Sequence, residues 1–280
     1  MIGVASAPAS SGNLGPGFDI LALALGLRCT ATVEASDEMT ISEHGSTKRL
    51  GDKDMIARAV RMAVDRPMHV TLDNQVPRAR GLGSSSAVSA SVAAAAMKAV
   101  GAEGGRQRVF QIVDELEGHA DNAAAAVFGG LVAATSTGIQ KMALHESLLP
   151  VVGIPNTHLR TTEARRALEP DIPRPMVVRS LARLAFLLEG LRTGEPQSLA
   201  HAAGDELHEI PRASLSPITG DLMHAARHAG ALHVAWSGAG PTALAFATKA
   251  NRGKVIGAMS EVLGANGEVL ALDVDDEGLR

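Results

Sequence analysis

The chain has 280 residues, 46% hydrophobic and 20% charged, with a net charge of −4. That length and balance allow a sizeable core in one large or two medium domains, and the acidic balance with no basic tail argues against a nucleic-acid partner, whose phosphates need a concentrated positive surface. One cysteine, Cys29, excludes an intrachain disulfide and a cysteine metal site; five Phe, one Trp and no Tyr leave the core to aliphatic side chains, with Cys29 read as a small core residue.

No uninterrupted apolar run reaches the ~18 residues of a membrane span. The N-terminus lacks the basic segment, apolar stretch and cleavage site of a leader. A cytoplasmic protein with no membrane association is the expectation.

Ile2 to Pro8 is short and apolar and predicts a strand. It runs into Ala9-Ser-Ser-Gly-Asn-Leu-Gly-Pro-Gly-Phe-Asp19, read as a shaped loop in which Asn13 and Asp19 have polar reach; both also suit Asx-type turns. Ile20 to Leu27 is apolar, and Arg28 to Ala35 alternates as a strand does. Met39 to Ser42 and His69 to Leu72 are further strand candidates. Between them, Asp54 to Asp65 carries Ile56, Ala59, Val60, Ala63 and Val64 at helical spacing.

Arg78-Ala-Arg-Gly-Leu-Gly-Ser-Ser-Ser-Ala-Val88 reads as a phosphate-binding loop running into a buried helix from Ala87 to Val100. Gly81 and Gly83 let the backbone turn tightly and approach a ligand. The helix N-terminus offers unpaired donors and partial positive charge to an anion, and Arg78 and Arg80 add positive potential. No lysine follows the second glycine, so this is not a Walker loop; a tight turn with a serine N-cap explains a bare Gly-x-Gly equally well. Val109, Phe110, Ile112, Val113 and Leu116 mark a second helix that ends at Glu117-Gly-His-Ala-Asp-Asn122, and Gly129 to Ala134 predicts a strand.

Leu148 to Ile154 is read as the strand that opens a second domain, which divides the chain into 1–147 and 148–280. Helices are expected over Thr161–Leu168, Met176–Arg192, Glu195–Glu209 and Ile218–His228, with Pro211 and Pro217 bracketing a loop. Leu232–Trp236 and Ala243–Ala247 flank the glycine turn Ser237-Gly-Ala-Gly-Pro-Thr242, before a helix over Lys254–Leu263 and a strand over Val269–Val274. Helix, strand, strand, helix, strand is the order of a split βαβ sandwich.

Four polar or glycine-rich stretches, at Ser10–Asp19, Gly81–Ala87, Glu117–Asn122 and Ser237–Thr242, each follow an apolar element and suggest loops converging on one cleft. Pro77 through Ala87 resembles the ATP-binding signature of the GHMP kinases, and Ser237–Thr242 is similar to their third motif. Pro8–Asp19, Glu117–Asn122 followed by Phe128-Gly-Gly130, and more weakly Thr161–Arg165 and Pro211-Arg212, are similar to the homoserine kinases within that superfamily. The resemblance spans essentially the whole chain with its motifs in order. It implies an α+β, two-domain fold: an N-terminal ribosomal-protein-S5-domain-2-like unit that binds ATP and a C-terminal ferredoxin-like unit, with the site between them. It also implies ATP- and Mg²⁺-dependent phosphorylation of L-homoserine in threonine biosynthesis, by a homodimer.

Carried onto this chain, the resemblance places Pro77, Arg80, Gly81, Leu82, Gly83, Ser84, Ser85, Ser86 and Ala87 at ATP, and Glu117 with Ser85 at the metal. Asn13, Asp19, His119, Thr161, Arg165, Arg212 and Gly238 fall at the substrate; Asn122 orients the hydroxyl and Asp121 supports it. The chemistry is coherent. Phosphoryl transfer needs positioning and charge neutralisation more than covalent help, Mg²⁺ takes few protein oxygens, and a zwitterion calls for arginine at one end and a carboxylate at the other. Read from residue type alone, Glu117 better suits capping or solvating a helix end, His119 equally suits a structural histidine, and Arg165 with Arg166 also reads as an exposed helical pair. Two departures stand out: Ser10-Ser11-Gly12 replaces the usual Thr-Ser-Ala, and Asp54-Met55-Ile56 replaces an Asn-Leu-Val/Ile stretch near adenine. The alternatives are another GHMP alcohol kinase, of the shikimate or mevalonate type, and a non-catalytic ligand-binding relative; an uncharged acceptor would need neither Asp19 nor the arginines, and a pure binder would not need Glu117.

Overall fold

The first two strands are the spine of the molecule: β1 (Ile2–Gly12) lies antiparallel along β2 (Leu21–Ala35) from end to end. The structure, a computed structural model, describes all 280 residues. A register shift between Pro8 and Ala9 lets β1 continue past the proline, as bulges permit. The expected loop therefore begins later. Ser10 and Ser11 belong to the strand, paired with Ala24 and Leu23, and are fully buried.

The first sheet adds β3 (Thr40–Glu43), β4 (Ser46–Arg49), β5 (Met68–Asn74), β6 (Leu131–Thr135) and β7 (Gly138–Met142). Its order is β4-β3-β5-β2-β6-β7, with β1 on β2; only β3–β5 is parallel. β4 and β7 have no counterpart in the sequence reading. Both are sheet edges with largely exposed side chains, so no apolar alternation marks them.

Four helices cover one side: α1 (Met55–Val64), α2 (Ser84–Val100), α3 (Gly105–Glu117) and α4 (Ala120–Phe128). Asp54 caps α1, its Oδ1 accepting from the Ile56 N–H at 2.9 Å. α2 is buried nearly all round. Its run of small residues lets it press on β1: a Cβ on Gly3 would lie 2.0 Å from the Ala95 carbonyl oxygen. Cys29 is buried at the same face, its thiol 3.6 Å from the Ser91 hydroxyl.

The second sheet contains β8 (Leu149–Pro155), β9 (His233–Trp236), β10 (Ala243–Ala247) and β11 (Gly267–Ala271), all antiparallel, in the order β11-β8-β10-β9. Between β8 and β9 run α5 (Thr161–Arg166), α6 (Arg174–Thr193), α7 (Pro196–His201), α8 (Glu209–Arg212), a single 3₁₀ turn at Ala213–Leu215 and α9 (Pro217–His228); α10 (Arg252–Leu263) joins β10 to β11. This is the expected split βαβ arrangement. The expected helix over Glu195–Glu209 stops at His201, and α8 begins only at Glu209. Pro211 lies inside α8 rather than in a loop, in the first turn where its missing N–H is not needed.

The sequence division at 147/148 falls in the connection between β7 and β8. One apolar core nevertheless runs from the first sheet to Val152, Ile154, Leu244 and Phe246 of the second. The last residues return to the first sheet: Ser6 and Arg280 exchange main-chain hydrogen bonds of 3.1 and 2.9 Å, and Arg28 pairs with Asp275. No helix is long and apolar enough to cross a membrane.

Candidate active site

A cleft of about 330 Å³ opens between the N-terminus of α2 and the turn joining β9 to β10. The stretch from Pro77 to Gly83, Arg78 excepted, forms one wall, and neighbours hold it by its carbonyls. Ser10 N–H donates to Leu82 O (3.0 Å), Leu159 N–H to Ala79 O (3.1 Å), Thr242 N–H to Arg80 O (3.3 Å) and the Ser237 hydroxyl to Gly81 O (2.7 Å). Two glycines permit this closeness. Gly81 (φ 77°) would drive a Cβ to 2.2 Å from Ser237 O, and Gly83 (φ 62°) to 2.0 Å from Ser10 Oγ.

α2 begins at Ser84, not Ala87, so Ser84, Ser85 and Ser86 are its first turn. Their N–H groups lack intrahelical acceptors, and all three residues line the cleft. Ser84 turns its hydroxyl back to Val76 O (3.1 Å), whereas Ser85 is exposed at the rim. Pro77, Arg80, Gly81, Leu82 and Gly83 also line the cleft. Ala87 does not: it is fully buried, and its N–H is spent on Gly83 O at 2.9 Å. Arg78 pairs with Glu43 at 2.7 Å away from the cleft, and Arg80 donates to the Pro155 carbonyl.

Glu117 ends α3, Asp121 and Asn122 lie in the first turn of α4, and only Gly118 and His119 stand between the two helices. Gly118 (φ 76°) closes α3, and extended His119 leads into α4. Glu117, His119, Asp121 and Asn122 all face the cleft. Asp121 Oδ1 sits 3.2 Å from His119 Nδ1 and accepts the Asn122 N–H at 2.7 Å. That hydrogen bond, reinforced by the charges of Asp121 and Glu117, raises the His119 pKa against the opposing effect of burial. Ser10 donates to Asn122 Oδ1 (2.8 Å) and thereby fixes the amide orientation. Gly12 makes room for this pair, since a Cβ there would lie 2.8 Å from both Asp121 Oδ2 and Asn122 Nδ2. Glu117 Oε1 is buried with no hydrogen-bond partner. A buried, unpartnered carboxylate oxygen beside a helix N-terminus that suits phosphate fits a hard cation taking only one or two protein ligands.

The opposite wall is made of side chains. Asn13 (φ 71°) donates from Nδ2 to Gly238 O (2.9 Å) and accepts the Asp19 N–H at 3.0 Å. Asp19 and Arg165, assigned to opposite ends of one ligand, bind each other here through two parallel hydrogen bonds of 3.0 and 2.7 Å. Arg165 is therefore no exposed helical partner of Arg166. Arg212 is no surface residue either, being 2% exposed yet reaching the cleft wall; burial above all, with the nearby Arg165, lowers its pKa to about 10. Thr161, at the exposed start of α5, and Gly238 complete this side. The sequence reading overlooked Ser10, Phe18 and His208. Ser10 and Phe18 both lie within the Pro8–Asp19 stretch, and His208 stands four residues before Arg212, the spacing that places side chains on one helical face.

Two family models match the chain: the GHMP kinases N-terminal domain over residues 53–130 and the GHMP kinases C-terminal domain over 187–265. The chain is 35% identical over 277 residues to a homoserine kinase of Thermus thermophilus, covering 96% of this chain and 95% of that one. It is 36% identical over 256 residues to a homoserine kinase of Deinococcus radiodurans, covering 86% and 82%. In fold it is similar to the crystal structure of homoserine kinase from Cytophaga hutchinsonii, with a TM-score of 0.89 at 24% identity over 100% of this chain and 96% of that one. A mevalonate kinase structure shares the fold at a TM-score of 0.75 and 12% identity, over 98% of this chain and 99% of that one.

Proposed function

We propose that this chain, which belongs to the homoserine kinase family of the GHMP kinases, transfers the γ-phosphoryl group of ATP to the hydroxyl of L-homoserine, giving O-phospho-L-homoserine and ADP in threonine biosynthesis. The observation that carries this reading is the pairing, in one cleft, of an open helix N-terminus with the Asp19, Arg165 and Arg212 charge set. The N–H groups of Ser84 to Ser86 hold phosphate oxygens. Glu117 Oε1, which has no partner inside the protein, and the Ser85 hydroxyl, on leaving the Met55 thioether 2.8 Å away, would hold Mg²⁺, which when bound neutralises charge on the phosphates.

Homoserine enters by exchange. Its ammonium takes Asp19, and its carboxylate takes Arg165 and Arg212. The Asp19–Arg165 pair is about a third exposed on each side, so opening it costs no more than about 1 kcal/mol, and both charges are paired again in the complex. Shikimate and mevalonate carry a carboxylate but no ammonium, so taking the arginines would leave Asp19 without a partner, which disfavours them as acceptors. Asn122, held by Ser10, orients the acceptor hydroxyl in line with the phosphorus. Asp121 is engaged by His119 and the Asn122 N–H and serves as support. A loose transition state makes little demand for early deprotonation, so positioning suffices. Residues 1–147 are read as the ATP-binding domain and 148–280 as the domain that supplies both arginines; a cytoplasmic homodimer with no nucleic-acid partner belongs to the same reading.

Phosphorus NMR of the purified protein with ATP, Mg²⁺ and each of L-homoserine, L-threonine, L-serine, shikimate and mevalonate tests it. The expected result is a new phosphomonoester with homoserine that grows as ADP forms. A phosphoester on another acceptor but not on homoserine would overturn the assignment.

A further inference from the structure

Behind the acceptor wall lies a buried hub, and the inference drawn from it rests on the homoserine reading above. We propose that His208 is a positioning residue that holds the Arg212 guanidinium in its carboxylate-binding orientation. His208 has no exposed surface. Its Nε2 is 2.9 Å from Gly15 O and its Nδ1 is 3.2 Å from Arg212 Nη1. A carbonyl can only accept and a guanidinium can only donate. The ring must therefore carry its hydrogen on Nε2 and a lone pair on Nδ1, a single neutral tautomer. Burial, helped by the charge of Arg212 and opposed by Asp205, favours the same form, lowering the pKa to about 4.

Further contacts make the hub rigid. Arg212 Nε donates to Ala164 O at 3.2 Å and Nη1 also reaches Gly238 O at 3.3 Å, which leaves Nη2 with no hydrogen bond inside the protein. The Phe18 ring stacks on the imidazole at 5.1 Å and 21°, with the Arg212 and Arg165 guanidinium carbons 5.4 and 5.8 Å from its centroid. Asp205 Oδ1 accepts the His208 N–H at 2.6 Å and so fixes the backbone beneath the ring. Arginine is a long, rotamer-rich side chain; holding Nε and Nη1 in place before substrate arrives removes that ordering cost from binding. His208 thus links the loop between β1 and β2, through Gly15 and Phe18, to the arginine that meets the carboxylate.

Two substitutions separate the two ring nitrogens. In His208→Asn the side-chain amide reaches the place of Nδ1, so the acceptor for Arg212 is kept and the Gly15 bond is lost. In His208→Gln the amide reaches the place of Nε2, and the reverse holds. Steady-state constants for L-homoserine, for aminopropanol (the same alcohol without its carboxylate) and for ATP, with the melting temperature, are measured for both variants and the wild type. His208→Gln is expected to raise KM for homoserine about tenfold, the effect of one misdirected buried donor, and to shrink the preference for homoserine over aminopropanol by the same factor with KM for ATP unchanged. His208→Asn is expected to stay within about twofold of wild type in that preference. If both variants keep the wild-type preference, whatever their melting temperatures, or if Asn loses it as fully as Gln, His208 is structural and the inference falls. A wild type that does not turn over homoserine at all would remove the proposed function itself, and this inference with it.

Discussion

At the phosphate end of the cleft the groups offered to a ligand are main-chain N–H groups from one short stretch, Gly81 to Ser86, while at the acceptor end they are side chains from three distant stretches, Asp19, Arg165 and Arg212. The phosphate end is held open by outside bonds to its carbonyls. The acceptor end closes on itself when empty, Asp19 against Arg165. On the proposed function, the difference follows from the ligands. A polyphosphate is a diffuse anion that suits a row of dipoles, whereas a zwitterion has two opposite charges that need discrete partners and can displace an internal pair without leaving a charge unpaired.

If the phosphate end depends on backbone shape, its glycines are its weakest points. Gly83→Val places a branched Cβ at left-handed φ and against Ser10 Oγ, 2.0 Å from an ideal Cβ. The expected cost is more than about 1000-fold in kcat/KM and about 2–3 kcal/mol in stability, read from steady-state kinetics and urea unfolding. Activity near wild type would show that the loop can re-form elsewhere. If the acceptor end depends on side-chain charge, its damage should be confined to one substrate. Arg212→Lys keeps the charge but loses the planar fork, and about 100-fold in kcat/KM for homoserine should go while KM for ATP stays put; a matching rise in KM for ATP would merge the two ends. Asp19→Asn should act more mildly, raising KM for homoserine about tenfold while moving stability by no more than about 1 kcal/mol, because the ion pair it breaks is partly exposed.

The smallest effect on turnover, and the one that concerns pH, is expected of Glu209, buried behind Arg212 with its Oε1 accepting the Trp236 N–H at 2.9 Å. Burial raises its pKa to about 7 from 4.5. The unfolded carboxylate ionises first, so this group makes stability fall as pH rises from about 4.5 to 7. His208, lowered to about 4 from 6.5, acts with the opposite sign, and stability falls as pH drops from about 6.5 to 4. The two slopes oppose each other over most of this range. Glu209→Gln keeps the acceptor and removes one slope, so the melting temperature of the variant minus that of wild type should climb from pH 4.5 to 7 and then level. A flat difference would mean that Glu209 titrates normally.

The same contrast governs what could be read before any coordinates. Gly81 and Gly83 announce themselves because a left-handed backbone position is a local demand that glycine meets locally. The start of α2 was misplaced by three residues, since serines before an apolar run look like caps when here Gly83 takes the N-cap position. The Asp19–Arg165 pair spans 146 positions in sequence and no spacing rule reaches that far; their individual roles were legible only through the resemblance. Nothing in the sequence around Arg212 beyond the resemblance separates a site residue from a surface arginine, and only the packing of α5, Gly238 and His208 around it reveals a buried one. Strands β4 and β7 stayed hidden for a simpler reason: edge strands with exposed polar side chains carry no periodic signal.

The most direct test is to remove one charge from the substrate at a time. Specificity constants would be compared for L-homoserine, γ-hydroxybutyrate, which lacks the ammonium, and aminopropanol, which lacks the carboxylate, at saturating ATP and Mg²⁺. Each analogue should lose about 100-fold or more, because each leaves buried or paired groups of the acceptor wall without a partner, while KM for ATP should be the same with all three. If either analogue were phosphorylated as efficiently as homoserine, Asp19 or the two arginines would not read the substrate, and the division of the cleft into a backbone end and a charge-paired end would be wrong.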